Sequence, residues 1–249
     1  MPQTIRRGLP TVASILVGLV VWEIVGRLAD ADWLPPASDV FARVGLLWQD
    51  GLLQPAVGAS LRTLLIGYAI SVVLGLALGT WMGMSERAVW AFGPYVDAGL
   101  LTPVVIVVPI FLVILGISEA TLIGIVVLFA TFVIASTTRI AIESTDAALR
   151  QMAISLCATR RQILTQVTLR DAAPMIFSGL RLGMSRAVKG MIVGEVVVTI
   201  GGLGQLETAF ATRFDATGSW AVTGVVLLIA LIASLLVQAV DGLVNAWPR

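Results

Sequence analysis

The sequence predicts an all-α integral membrane protein of six transmembrane helices, and three observations carry that reading. Of the 249 residues, 58% are hydrophobic and 12% are charged, against roughly 45–50% and about 25% in an ordinary soluble domain. The apolar residues arrive in blocks of about 17 to 25, the length a helix needs to cross ~30 Å of hydrocarbon. The basic residues gather in alternate connections between those blocks, as they do in a chain that crosses a bilayer repeatedly.

The first block runs from about Leu9 to Ala29 behind Arg6 and Arg7. The same layout suits a secretory signal peptide ending near Ala29-Asp30-Ala31. However, the apolar part exceeds the roughly 7–15 residues of such a peptide and holds Trp22 and Glu23, which favours a retained helix. Ser38 to Gly51 is amphipathic, with Ser38 predicted as N-cap and Val40, Phe41, Val44 and Leu47 on one face, and is expected along the membrane surface. Further spans are expected at Thr63 to Met84, a proline-interrupted run from Val89 to Leu115, Ala120 to Ser136, Pro174 to Ile200 and Trp220 to Val244. The chain thus divides into an N-terminal part, residues 1–58, and a five-span core, residues 59–249. Arg6, Arg7, Arg87, Arg139, Arg150, Arg160, Arg161 and Arg170 fall on one side of such a bundle and only Arg43, Arg62 and Arg213 clearly opposite. The positive-inside rule therefore places both termini in the cytoplasm.

Two spans carry small-residue patterns. In the second, Gly67, Ser71, Gly75, Gly79 and Gly83 recur every four residues, a ridge that lets a neighbouring helix approach closely. In the third, Pro94, Pro103 and Pro109 remove backbone donors and bend the chain. Irregular backbone at that depth is tolerated where protein or a water-filled cavity surrounds it, so the bends either flank a pathway or are structural kinks.

The fifth span separates two chemistries. At 100° per residue, Ser178, Arg181, Ser185, Lys189, Glu195 and Thr199 share an arc of roughly 120°, with Gly183, Ala187, Gly190 and Gly194 opposite. The small face is expected to pack on another helix. The polar face is read as a pathway lining, because a charge within the membrane costs at least about 2.5–3.5 kcal/mol on insertion scales. The alternative is that Lys189 snorkels to the surface and Glu195 makes a structural hydrogen bond.

Absences narrow the chemistry. The chain has no histidine and one cysteine, Cys157, which leaves neither a metal site nor an intrachain disulfide. Its only lysine, Lys189, is followed by Gly190, so there is no Walker A loop to hold a nucleotide. The net charge of +1 and the lack of interleaved basic and aromatic residues argue against nucleic-acid binding. The expected chain is no enzyme and binds no cofactor, and any ATP and magnesium belong to a separate subunit.

Between the fourth and fifth spans, Thr137 to Ala173 form a connection far longer than a helix-to-helix turn requires. Leu149, Met152, Ala153 and Leu156 keep amphipathic helical spacing, and Ile163, Leu164 and Val167 form a second such face. Thr159, Arg160 and Arg161 make a basic elbow between them. An apolar face with a basic tip suits insertion into a partner's groove, or lying on the membrane.

Here the chain resembles the inner-membrane permeases of binding-protein-dependent ABC importers, whose loop reads EAA, three residues, Gly, nine residues, then Ile, any residue, Leu-Pro. Gln151, Met152 and Ala153 stand at EAA, Cys157 at the glycine, and Val167, Leu169 and Arg170 at the closing Ile, Leu and Pro. Spacing is kept, while Gln151, Cys157 and Arg170 depart in identity. The stretches WLPPASDV, SLRTLLIGYAISVVLGLALG, TPVVIVVPIFLVILGI, AAPMIFSGLRLG and GEVVVTIGGLGQL extend the resemblance to the nitrate, sulfonate and taurine branch.

That resemblance implies the fold of a type I importer permease, with the loop forming a coupling helix over roughly Ala153 to Thr165. Gln151, Ala153, Cys157, Ala158, Arg160 and Arg161 would then meet the ATPase. It further implies two ATPase subunits, a second permease copy in a homodimer, and an extracytoplasmic solute-binding protein in a bacterial inner membrane. The solute would be small and polar or anionic: a sulfonate, nitrate, taurine-like molecule, or a vitamin or nucleobase precursor. Cys157 is expected in small buried packing, and where glycine is replaced the helix either continues or bends differently. The other functions weighed are an ion-coupled secondary transporter working through Glu195 or Asp97, and a membrane scaffold.

Overall fold

The computed structural model describes the backbone of residues 3–29 and 31–244, and the side chains of residues 13–29 and 31–239. Arg6, Arg7, Asp30 and the last residues of the sixth span therefore lie outside the described side chains. Every regular element among the described residues is helical.

A 27-residue helix α1 (Gln3–Ala29) leads to α2 (Ala37–Gln49). Ser38 is not the N-cap of α2. That position is Pro36, and Ser38 lies one residue inside the helix, its backbone N–H donating to Glu23 Oε2 at 2.9 Å and its hydroxyl to Glu23 Oε1 at 3.0 Å. The cap is supplied from α1, which a local reading of residues 36–40 does not reveal. Val40 and Leu47 are buried, whereas Phe41 is exposed.

Helix α3 (Leu53–Met84) begins ten residues before the expected span and runs through the division drawn at residue 58. Pro55 sits in its first turn, where the missing N–H has no helical acceptor to satisfy. The proline-interrupted run is two helices, α4 (Glu86–Leu101) and α5 (Val104–Leu115), bent by 110° at Pro103. It is a broken or re-entrant pair rather than one kinked rod. Helix α6 (Glu119–Glu143) starts from a Ser118 cap and continues seven residues past Ser136. Thr137 does not end it: its hydroxyl is satisfied by the Val133 carbonyl within the helix at 2.8 Å, and Ala141 and Ile142 beyond it are buried against Ala172 of the later span.

The long connection is consequently shorter than Thr137 to Ala173. It consists of α7 (Ala147–Ser155), a single turn α8 (Arg160–Gln162) and a π-helical stretch, Ile163–Thr168, that runs directly into α9 (Leu169–Val198). After α9 the chain bends by 54° into α10 (Gly202–Ala211), an element the sequence reading did not anticipate, and ends in α11 (Ala216–Val244).

Among the described residues, three helices, α3, α6 and α11, are long and apolar enough to cross a membrane, and the two bent pairs raise the number to five if each is one span. The remaining expected crossing falls on α1, whose first side chains are outside the described residues.

Helix α6 is the axis of the bundle. Ile134, fully buried, is pressed on one side by Gly75 of α3 and on the other by Gly183 of α9, where an added Cβ would meet it at 2.7 and 2.5 Å. The same close approach repeats at Gly67 against Val126, Gly79 against Ala135 and Thr138, and Gly83 against Ile142. Gly190 and Gly194 pack on the α6 residues Leu122, Ile125 and Val126 with more room, at 3.2 Å and beyond. In lipid, association rests on such dispersion contacts, since the hydrophobic effect does not distinguish a tail from a leucine. At the bundle's flank, Trp22 of α1 stacks obliquely on Trp220 of α11 at 5.4 Å. Arg43 of α2 pairs with Asp215, just before α11, at 2.7 Å.

Candidate functional site

Two regions at opposite ends of the bundle hold the sequence-predicted residues. At the loop end, no single helix covers Ala153 to Thr165; the chain bends at Cys157. Its N–H donates to the Ile154 carbonyl at 2.9 Å and the N–H of Ala158 to the Ala153 carbonyl at 3.0 Å, with Cys157 at φ +55°. This is the Schellman closure that usually employs glycine. The glycine-type bend therefore survives the replacement, neither straightened nor reshaped, at the steric penalty a Cβ pays in the left-handed region.

Cys157 is also exposed, which corrects the expectation of buried packing: a residue at the apex of a turn has no neighbours to pack against. The next turn is fixed by a capping box, in which Thr159 accepts from Gln162 N at 3.3 Å and Gln162 Oε1 accepts from Thr159 N at 2.8 Å.

On this elbow Gln151, Arg160 and Arg161 are exposed, Ala158 is half-buried and Ala153 is buried. Met152, Ile154 and Leu156 expose 57%, 58% and 75% of their surface, so apolar side chains stand uncovered around the end of α7 and its cap, a few residues before Arg160 and Arg161. A cavity of about 270 Å³, lined in part by Gly83, Met84, Ile142, Arg150 and Arg160, separates the elbow from the ends of α3 and α6.

Along α9 the predicted stripe splits. Ser178, Ser185, Lys189 and Thr199 are exposed, but Glu195 is 1% exposed. The arc placed Glu195 at the stripe's edge, and tertiary packing covers that edge with α3 and α10. Lys189 lies nine residues before the end of α9, about 14 Å along the axis, well inside the span.

Glu195 holds the far end together. Its Oε2 accepts from Ser60 Oγ at 2.8 Å and from Gly204 N at 2.9 Å, while Ser60 Oγ accepts from Leu203 N at 2.8 Å. Oε1 has no protein donor. A Cβ at Gly202 would overlap the Glu195 carboxylate and one at Gly204 would lie 2.5 Å from Glu195 Cβ, so both glycines are there to admit it. Beside this cluster a cavity of about 290 Å³ is walled by Arg62, Thr63, Ser118, Glu119 and Glu195 among others. Arg62 and Glu119 pair at 3.1 Å on its exposed rim. Ser60, Gly202 and Gly204 were missed in the sequence reading. The only signal for them was the spacing of GGLG behind Glu195, which does not name Ser60 at all.

Residues 71–245 match the family model described as "Binding-protein-dependent transport system inner membrane component". The chain belongs to this family. Among curated relatives, the permease is 27% identical to the formylaminopyrimidine transport permease protein ThiX of Halalkalibacterium halodurans, over 96% of each chain. It is 26% identical to the taurine transport system permease protein TauC of Escherichia coli, over 95% of this chain and 89% of that one. Of solved structures, the inward-facing MetNI methionine ABC transporter superposes with a TM-score of 0.69 and 19% identity, covering 81% of this permease and 98% of that chain. That likeness speaks to the fold. The chain is thus the inner-membrane permease subunit of an ABC importer, a non-enzymatic subunit that works with an ATPase and a solute-binding protein. This decides against the ion-coupled and scaffold alternatives.

Proposed function

We propose that two copies of the permease face each other across the polar side of α9, so that Ser185 and Lys189 line a shared pathway. The observation that carries this is Lys189: it is exposed about 14 Å inside a membrane span, where facing lipid is unfavourable by at least about 2.5–3.5 kcal/mol. A second copy presenting the same stripe would replace lipid by water and polar groups. The small-residue face, Gly183, Gly190 and Gly194, is already used on α6, which leaves the polar face for the partner. Glu195 and Thr199 belong to the end of this stripe, Glu195 as part of the wall of a cavity and not of the open face.

The solute is small and polar or anionic, in keeping with relatives named for taurine, aliphatic sulfonates and formylaminopyrimidine. At the other end, Met152, Ile154 and Leu156 with Arg160 and Arg161 seat in the ATPase subunit, which carries ATP and magnesium. The loop and both termini are cytoplasmic, as the arginine distribution favours.

Cysteine substitution tests the pathway. In a Cys157→Ser background, Ser185→Cys should cross-link two copies under mild oxidant and react with a small water-soluble thiol reagent. Absence of both would refute the placement. For the coupling face, Arg160→Glu should abolish co-purification of the ATPase while the spans stay folded, and undiminished co-purification would overturn that assignment.

A further inference from the structure

We propose that Glu195 and Ser60 are positioning residues of transport: they cap α10 from neighbouring helices and latch the α9–α10 turn against the end of the bundle. The latch opens when the pathway does. This deepens the pathway reading above and rests on it.

The first amides of any helix lack intrahelical acceptors. Those of α10 receive no local cap, because Gly201 at the N-cap has no side chain. The amides of Leu203 and Gly204 bond instead to Ser60 of α3 and Glu195 of α9. A carboxylate there also answers the partial positive charge of the helix start. One buried carboxylate oxygen and one hydroxyl therefore join three helices.

The turn they hold is built to move. Thr199 and Gly202 have φ of +51° and +80°, and a Cβ at Gly201 would meet nothing within 4 Å. Cavities of about 290 and 430 Å³ lie beside the turn, both bordered by Ala59 and Gly201. The contrast with α2 is instructive. Its start is capped in the same way by Glu23, but both oxygens of Glu23 are engaged, with Ser38 and Arg27. Glu195 makes its bonds to Ser60 and Gly204 through Oε2, two against the three at Glu23, so its carboxylate is held by fewer bonds than that of Glu23.

The test uses the assembled importer in lipid vesicles, with Cys157→Ser and the fully buried Leu203, whose amide the latch holds, replaced by Cys as reporter. A membrane-impermeant maleimide is added from the α10 side, with and without ATP and vanadate. Slow labelling without nucleotide is expected in the otherwise unaltered complex. Ser60→Ala and Glu195→Ala should speed it about tenfold, the scale of one lost hydrogen bond, and make it independent of nucleotide. They should also raise ATP hydrolysis in the absence of binding protein, which a purely structural defect would lower. Glu195→Gln should label slowly, because its amide oxygen still accepts from Ser60 and Gly204. Unchanged labelling in both alanine variants, or a glutamine variant that behaves like alanine, overturns the proposal. Should Glu195→Ala fail to assemble, Ser60→Ala, which removes only a hydroxyl, decides. Latch-dependent labelling at position 203 without any cross-link at position 185 would keep the latch and sink the pathway.

Discussion

Glycines that look equivalent along the sequence should respond differently to a single added methyl. At Gly79 the new carbon would begin 2.5 Å from the Ala135 carbonyl oxygen, part of the α6 backbone. An unstrained C···O contact is about 3.3–3.6 Å, so α3 and α6 must part locally by ~1 Å. A gap of that size forfeits a quarter to a half of each dispersion contact of ~0.1–0.2 kcal/mol, and over ~30 facing atom pairs the loss is ~1–2 kcal/mol. That falls within the ~1–3 kcal/mol typical of overpacking. At Gly190 the nearest atom would be 3.6 Å away, an ordinary contact, and at Gly58 nothing lies within 4 Å. Detergent-to-dodecyl-sulfate unfolding of the purified permease should therefore show Gly79→Ala less stable by ~1–3 kcal/mol, with Gly190→Ala and Gly58→Ala within ~0.5 kcal/mol of the parent. Equal losses at Gly79 and Gly190, or none at Gly79, would refute the difference in clearance between these two glycines.

Cys157→Gly should stabilise the elbow by about 1 kcal/mol, because φ +55° carries a Cβ penalty that glycine lacks; slower amide exchange over residues 150–162 would register it, and unchanged exchange would contradict the assigned bend. Gly202→Ala should prevent the α9–α10 turn from forming as described, since its φ is +80° and the methyl would overlap the Glu195 carboxylate, and full retention of the parent melting temperature would count against that packing. Arg43→Ala should be mild, at most about 1 kcal/mol, because its ion pair with Asp215 is about one-third exposed on each side. Asp215→Ala should cost more in the same thermal unfolding assay, since Asp215 Oδ1 also accepts from Gly218 N at 2.8 Å at the start of α11; equal effects would discount the cap.

What could be read without coordinates depended on periodicity and on runs of apolar residues. Although Glu195 left the polar arc for the interior, the small face of α9 was legible because a helix repeats every 3.6 residues whatever surrounds it. So was the glycine ridge of α3, and so was the elbow, where spacing outlived the identities of Gln151, Cys157 and Arg170. Boundaries failed where the deciding group was remote: α2 starts on Glu23 instead of Ser38, and α6 outlasts the expected span because Ala141 and Ile142 are buried against Ala172 and Ile176 of α9.

Composition, spacing and resemblance were enough to read this chain as a membrane protein built of helices that belongs among ABC importer permeases. Only packing settled that Glu195 leaves the exposed stripe, that Ser60 meets it from 135 positions away, and that Gly75 and Gly183 close on Ile134 while Gly190 keeps ordinary clearance. Composition and local spacing are set by the solvent and by helix geometry. A hydrogen bond between distant segments, or a contact distance between two helices, exists only once the helices have found their packing.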